Sequence, residues 1–261
     1  MKKHLFILIS FVILINCAHD RVQESSTVTP LDYNNGKLST GTVSTTGLIA
    51  PQGYEFSEIR PSSTPGISCF YLNFQEKARY SVSDDFVIPQ NEIWNVKNIS
   101  FYVINPDPVS ANFSVKNIVM EIYDGNPDLA TSKKVYGNLD TNLFKSSAPT
   151  NIYRITNETT KITDDPSASL VYKVETTIGN DLNLKAGHYW YQMTMKFDYG
   201  EDWSCYIPRL PQKGNNENSF NAYYKNFDNG LVFKTDNGVY NGTIPVNYET
   251  PFQITGVKTT F

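Results

Sequence analysis

The sequence predicts an all-β protein, a β-sandwich of jelly-roll type, and three observations carry that expectation. Apolar residues alternate with a period of 2 in several segments, and turn-forming pairs separate those segments. Beyond the first residues, no stretch of about ten or more carries the apolar spacing of an amphipathic helix. Composition agrees with a folded core: 40 % of the 261 residues are hydrophobic and 18 % charged, with 15 Phe, 17 Tyr and 3 Trp. A wholly disordered chain is excluded on that basis. The net charge of −4 provides no basic footprint for nucleic acid. With 3 His and 3 Cys, zinc clusters and iron–sulfur sites lack ligands.

The chain opens on the basic Met1-Lys2-Lys3-His4, followed by an apolar run from Leu5 to Ile15 broken only by Ser10. As a helix that run rises about 16 Å, too short for a bilayer core of about 30 Å, so it reads as a secretory signal. The run ends in Leu14-Ile15-Asn16-Cys17 and the chain then turns polar at once. This arrangement resembles a bacterial lipoprotein signal. The resemblance implies removal of residues 1–16, acylation of Cys17, and a membrane partner reached through several acyl chains, since one chain binds only marginally. An ordinary signal peptide with a chance Cys is the alternative. Loss of Lys2 and Lys3 with the signal would leave the mature chain more acidic than the whole. An exported lipoprotein would sit in the cell envelope, at the outer membrane.

If Cys17 carries lipid, Cys69 and Cys205 remain as an even pair in an oxidising compartment, which is the expectation for a disulfide. A loop that long is worth about 4–5 kcal/mol on the chain-entropy account. Two buried thiols are the alternative. Residues 17–50 are rich in Ser, Thr, Gly and Asn and hold no sustained period, so they read as a flexible tether. Some of their Thr and Val could still join an early strand. Residues 51–261 are then one large β domain, with long loops or an added hairpin.

Within that domain the alternation is explicit. Ile99, Phe101 and Val103 share one face, as do Ile118, Met120 and Ile122. Leu170, Tyr172, Val174, Thr176 and Ile178 alternate with Val171, Lys173, Glu175 and Thr177. Tyr189, Tyr191, Met193, Met195 and Phe197 oppose Trp190, Gln192, Thr194 and Lys196. Between these segments stand Asn105-Pro106-Asp107-Pro108, Asp124-Gly125-Asn126-Pro127, Asp228-Asn229-Gly230 and Asn241-Gly242, pairs that favour tight turns.

An ordered set of strings runs through residues 78–256. It begins at Ala78-Arg79-Tyr80-Ser81-Val82-Ser83-Asp84-Asp85-Phe86-Val87-Ile88-Pro89 and continues through Trp94-Asn95-Val96-Lys97-Asn98-Ile99-Ser100-Phe101-Tyr102. Ile122-Tyr123-Asp124-Gly125-Asn126-Pro127 and Leu184-Lys185-Ala186-Gly187-His188-Tyr189-Trp190 follow. Pro251-Phe252-Gln253-Ile254-Thr255-Gly256 closes the set. This set resembles a module of secreted and surface proteins of Bacteroidetes and related bacteria. The resemblance implies a β-sandwich in envelope or exported proteins, without a known catalytic role.

Candidate chemistry is sparse. Nucleophilic catalysis needs a base beside a Ser, Cys or Thr, and past the signal only His19 and His188 are offered, with no G-x-S-x-G string. His188 reads as a strand or turn residue, and no catalytic residue is assigned. Asp84 and Asp85 are adjacent on a strand and point to opposite faces, so without a bulge they form no close pair; a turn, edge or calcium role fits them better. Asp124, Asn126 and Asp128 occupy the first, third and fifth places of an EF-like loop, a set that could hold a structural calcium. Leu129 and Val135 then stand where that loop needs Gly and Glu, which favours a plain turn. Glu201 and Asp202 beside Trp203, together with Trp190, offer carboxylates and ring faces suited to a sugar. Most aromatics of a sandwich are core, so a ligand role requires that these rings be exposed. These features predict a non-catalytic, lipid-anchored binding protein for a glycan or surface component. A structural or assembly subunit with an envelope protein partner is the second expectation, and a carboxylate-based glycan-processing enzyme the third.

Overall fold

The structure, a computed structural model, describes residues 26–60, 66–72, 77–104, 115–157, 159–162, 170–179, 182–197, 205–211, 221–233, 235–236, 246–247 and 249–261. It is all-β and sandwich-like. In chain order the strands are β1 (Thr27–Asn34), β2 (Glu55–Glu58), β3 (Gly66–Leu72), β4 (Lys77–Ile104) and β5 (Val115–Tyr123). They continue with β6 (Lys134–Asn138), β7 (Phe144–Ile155), β8 (Leu170–Thr176), β9 (Leu182–Phe197) and β10 (Cys205–Pro208). The last are β11 (Tyr223–Asn226), β12 (Val232–Phe233), β13 (Thr235–Asp236), β14 (Val246–Asn247) and β15 (Phe252–Thr260).

One large sheet runs β2-β7-β8-β4-β9-β5-β6, with β1, β3, β10, β11, β12 and β15 attached beside this path; β13 and β14 pair separately. The sheet is mixed, because β2 runs parallel to β7 while the other pairs are antiparallel. The 28-residue β4 organises it. Along one side β4 pairs with β9 from Val82 to Val96 and then with β8 from Ser100 to Ile104. Along the other it pairs with β11 up to Ser83 and with β15 from Glu92 to Phe101. Gly256 marks the bulge in the β15 pairing: a Cβ there would lie 2.1 Å from the Asn95 carbonyl oxygen, so only glycine fits.

The alternating segments fall where their period places them. Ile99, Phe101 and Val103 of β4, Ile118, Met120 and Ile122 of β5, and Tyr191, Met193 and Met195 of β9 form one buried cluster with Phe252 and Ile254 of β15. Phe101 and Phe252 each set an edge against the Tyr191 ring at 5.0 Å. A second cluster, Phe56, Tyr153, Ile155 and Leu170, holds β2, β7 and β8 together.

Two expectations change. The segment expected to be a flexible tether is built into the fold from residue 26 onward. β1 pairs with β15 over its full length, from Thr27↔Thr260 to Asn34↔Gln253, and Leu31 enters the main core. Thr and Val suit an edge strand whose other positions face solvent, so a polar composition here accompanies pairing rather than disorder. The second change concerns β9. Its period of 2 predicts one core-facing side, and the structure buries both: Trp190, Gln192 and Thr194 are buried along with Tyr191 and Met193. Trp190 packs on Tyr223 at 5.7 Å between ring centroids, so β11 and its approach cover that face.

Candidate functional site

The pairing of β4 has a gap. β11 leaves it at Ser83 and β15 joins it at Glu92, so on that side no strand among the described residues pairs with positions 84–91. Backbone and side chains exposed by such a gap need polar partners. They come from three approaches: Asn35 just after β1, Glu249 and Thr250 just before β15, and Asn221 just before β11.

Asp84 occupies the middle of the gap and is fully buried. Its Oδ2 accepts the Thr250 backbone N–H at 2.8 Å, the Thr250 hydroxyl at 2.6 Å and Asn35 Nδ2 at 3.3 Å. Its Oδ1 accepts the N–H of Asp85 at 2.8 Å. With the Thr250 hydroxyl committed to Asp84, the Tyr191 hydroxyl donates to Thr250 Oγ1 at 2.6 Å, which links the site to the aromatic core. Asn35 Nδ2 also donates to Glu249 Oε1 at 2.8 Å and to the Thr250 carbonyl at 3.0 Å.

Asp85 faces the outer rim. Its Oδ2 accepts Asn221 Nδ2 at 2.9 Å and contacts His188 Nε2. His188 lies on β9 opposite Val87, with half of its side chain exposed, and its ring stands 6.2 Å from that of Trp190. The rim thus gathers an imidazole, a carboxylate, an amide and an indole beneath them.

Ligand oxygens of Asp84, Asp85 and Glu249 all lie within 4.8 Å of one another. This corrects the expectation that adjacent carboxylates on a strand stay apart. Alternation governs where the Cβ atoms point, but across an unpaired edge the Asp84 carboxylate turns back to the N–H of its neighbour, and both acids reach the same opening. Burial pushes the Asp84 carboxyl up to about 8 against the opposing hydrogen bonds of Thr250 and Asp85, with the Asp85 charge adding to the rise. Burial, followed by the charges of Asp84 and Asp85, pushes Glu249 up to about 9, with Asn35 opposing.

The other expected sites fare differently. Asp124 Oδ1 accepts the Lys133 N–H at 2.6 Å, Asn126 Oδ1 accepts the Asp128 N–H and the Tyr223 hydroxyl, and Asp128 Oδ1 pairs with Lys225 Nζ at 2.7 Å. Those oxygens serve the β5–β6 turn and its contact with β11. Trp190, expected as an exposed stacking ring, is 5 % exposed, so its face is not an open platform. The antiparallel register of β3 and β10 sets Cys205 directly opposite Cys69, which lies deep in the main core. Cys17, Glu201, Asp202 and Trp203 lie outside the described residues, as does the side chain of Cys205.

The sequence reading missed Glu249, Asn35, Thr250 and Asn221. Each stands in irregular chain a residue or a few from a strand end, where no period marks it. The visible signal is Asp84-Asp85, two adjacent acids directly before the apolar Phe86-Val87-Ile88 of β4. Comparison of the chain with protein-family models, with curated proteins and with solved structures finds no match.

Proposed function

We propose that this is a lipid-anchored cell-envelope protein whose β domain binds a glycan or another surface component without catalysis. The observation that supports binding is the rim at the β4 gap, where His188, Asp85 and Asn221 meet above Trp190. Imidazole, carboxylate and amide groups match the paired donors and acceptors of sugar hydroxyls, and the half-exposed imidazole of His188 presents a ring face to the apolar face of a sugar. Exposed Val87, directly across from His188, extends the same surface with an apolar contact.

The test is binding of the full chain, purified in detergent, to an array of polysaccharides, beside the His188→Ala variant. Retention of one class by the parent and its loss in the variant would support the reading. No retention of any polysaccharide, with co-purification of an envelope protein instead, would replace it with the assembly-subunit reading.

Anchoring rests on the basic start, the short apolar run and Cys17. Cys17→Ser should release the protein from the membrane fraction, and unchanged retention would refute the anchor. A Cys69–Cys205 bridge belongs to the same proposal, since export places the chain where disulfides persist and β3 and β10 set the two positions opposite each other. Alkylation of unfolded chain before and after reduction should differ by two thiols, and equal labelling would exclude the bridge.

A further inference from the structure

We propose that the gap in β4 is a binding site for a hard divalent cation, calcium, held by the carboxylates of Asp84, Asp85 and Glu249. Three carboxylates from two separate parts of the chain converge within 4.8 Å. Calcium takes oxygen ligands at about 2.3–2.6 Å, so opposite ligands of one ion stand about 4.6–5.2 Å apart, and the trio fits inside that span.

An independent observation indicates what is missing. Glu249 is only 4 % exposed, and its Oε2 is enclosed without a hydrogen bond of normal geometry among the described residues. The Oδ1 of Asn221, whose amide nitrogen is held by Asp85, is enclosed and unpartnered in the same way. Both are hard oxygen acceptors, the ligand type that calcium prefers; the first belongs to the trio itself and the second to the amide that donates to Asp85. A buried acceptor without a donor is destabilising, more so when charged, so two such atoms call for a reason.

Charge balance leads to the same ion. The described groups that hydrogen-bond to the three acids are Asn35, Thr250, Asn221, the Asp85 amide and His188, and none is a Lys or Arg. Elsewhere in the molecule acids do receive such partners: buried Glu121 from Lys134, half-buried Glu92 from Lys258 and even exposed Asp128 from Lys225. Three carboxylates gathered away from water, with no fixed cation among the described residues, call for a mobile one. The scaffold suits this role, because Asp84 and Asp85 stand on the central strand and Glu249 and Thr250 are fixed to β4 and β1 by hydrogen bonds. The Asp85 carboxylate also joins this site to the surface rim, so a bound ion would set the geometry of His188 and Asn221.

The test uses the full chain in detergent, stripped with chelator and titrated with Ca²⁺ alone. Calorimetry and thermal melting are the two readouts. One Ca²⁺ per chain and a higher melting temperature in Ca²⁺ than in chelator are expected. Glu249→Gln should weaken binding at least about tenfold, a loss of about 1.4 kcal/mol. Asp85→Asn should do the same and carries the test if the first variant does not fold. Asp124→Asn, in the β5–β6 turn, should keep the parent affinity. Absence of bound Ca²⁺ with identical melting in both buffers would overturn the proposal. So would unchanged affinity in the folded gap variants, or loss of binding in Asp124→Asn. None of these readouts depends on a glycan, so the site can fail while the proposed function stands, and the reverse.

Discussion

The two stretches of β4 on either side of its middle obey different rules. From Glu92 to Phe101 the strand has β15 along one side and β9, then β8, along the other. Its side chains alternate between core and opposite face up to Val96 and again from Ile99, changing phase at the bulge opposite Gly256. From Asp84 to Ile88 it has β9 on one side and a gap on the other. There the neighbours across the gap are single residues from loops. Phe86 and Ile88 still enter the core and Val87 still points outward, while the Asp84 and Asp85 carboxylates bend to hydrogen bonds at the gap. A strand's apolar pattern thus survives the loss of one partner, whereas its polar side chains beside the gap answer to whatever donors reach them.

The largest expected effect lies in the paired stretch. Phe101→Ala removes a ring that touches Tyr191 and shares the core with Phe252, and should cost about 3–5 kcal/mol in denaturant unfolding. A loss under about 1 kcal/mol would mean that the core tolerates collapse at its centre. Leu31→Ala asks whether β1 belongs to that core; about 2–3 kcal/mol is expected, and no change would return residues 27–34 to the role of tether.

In the gap the prediction concerns pH. The folded state holds Asp84 and Glu249 above their ordinary values of 3.8 and 4.5, at about 8 and about 9. The folded chain therefore binds more protons than the unfolded chain between about pH 4 and pH 9. Stability falls as pH rises through that window. In chelator, melting temperature should decline from pH 5 to pH 9, and Glu249→Gln should flatten the decline. A rise over the same range would contradict the burial of these acids. The smallest effect is expected at the rim: His188→Ala should change stability by no more than about 0.5 kcal/mol, because half of the ring is exposed, while removing ligand retention.

The same contrast explains what could be read from the chain alone. The all-β class, the strands around Phe101, Met120, Val174 and Met193, and the turn at Asp124–Asp128 all follow from local pattern, because each is decided by neighbours two to four positions away. The gap is decided by three approaches far apart in the chain, and no local pattern joins Asn35 to Glu249. Burial of Trp190 depends on β11, some thirty positions further on, which a period of 2 on β9 cannot foresee. The incorporation of β1 was obscured by Ser and Thr, residues that serve an exposed edge as well as a linker.

That first strand also has a mechanical meaning. If the lipid at Cys17 holds the protein to a membrane, every pull between membrane and domain enters the fold at Thr27. There the chain is zipped to β15 through an eight-residue antiparallel ladder. A tug along the strand loads all of those rungs together, in shear, and β15 hands the force on to the central β4. A tug across the strand would open them one at a time, starting with Thr27↔Thr260. The direction in which the short polar link leaves residue 26 therefore sets whether the domain resists tension as a block or unravels from its edge.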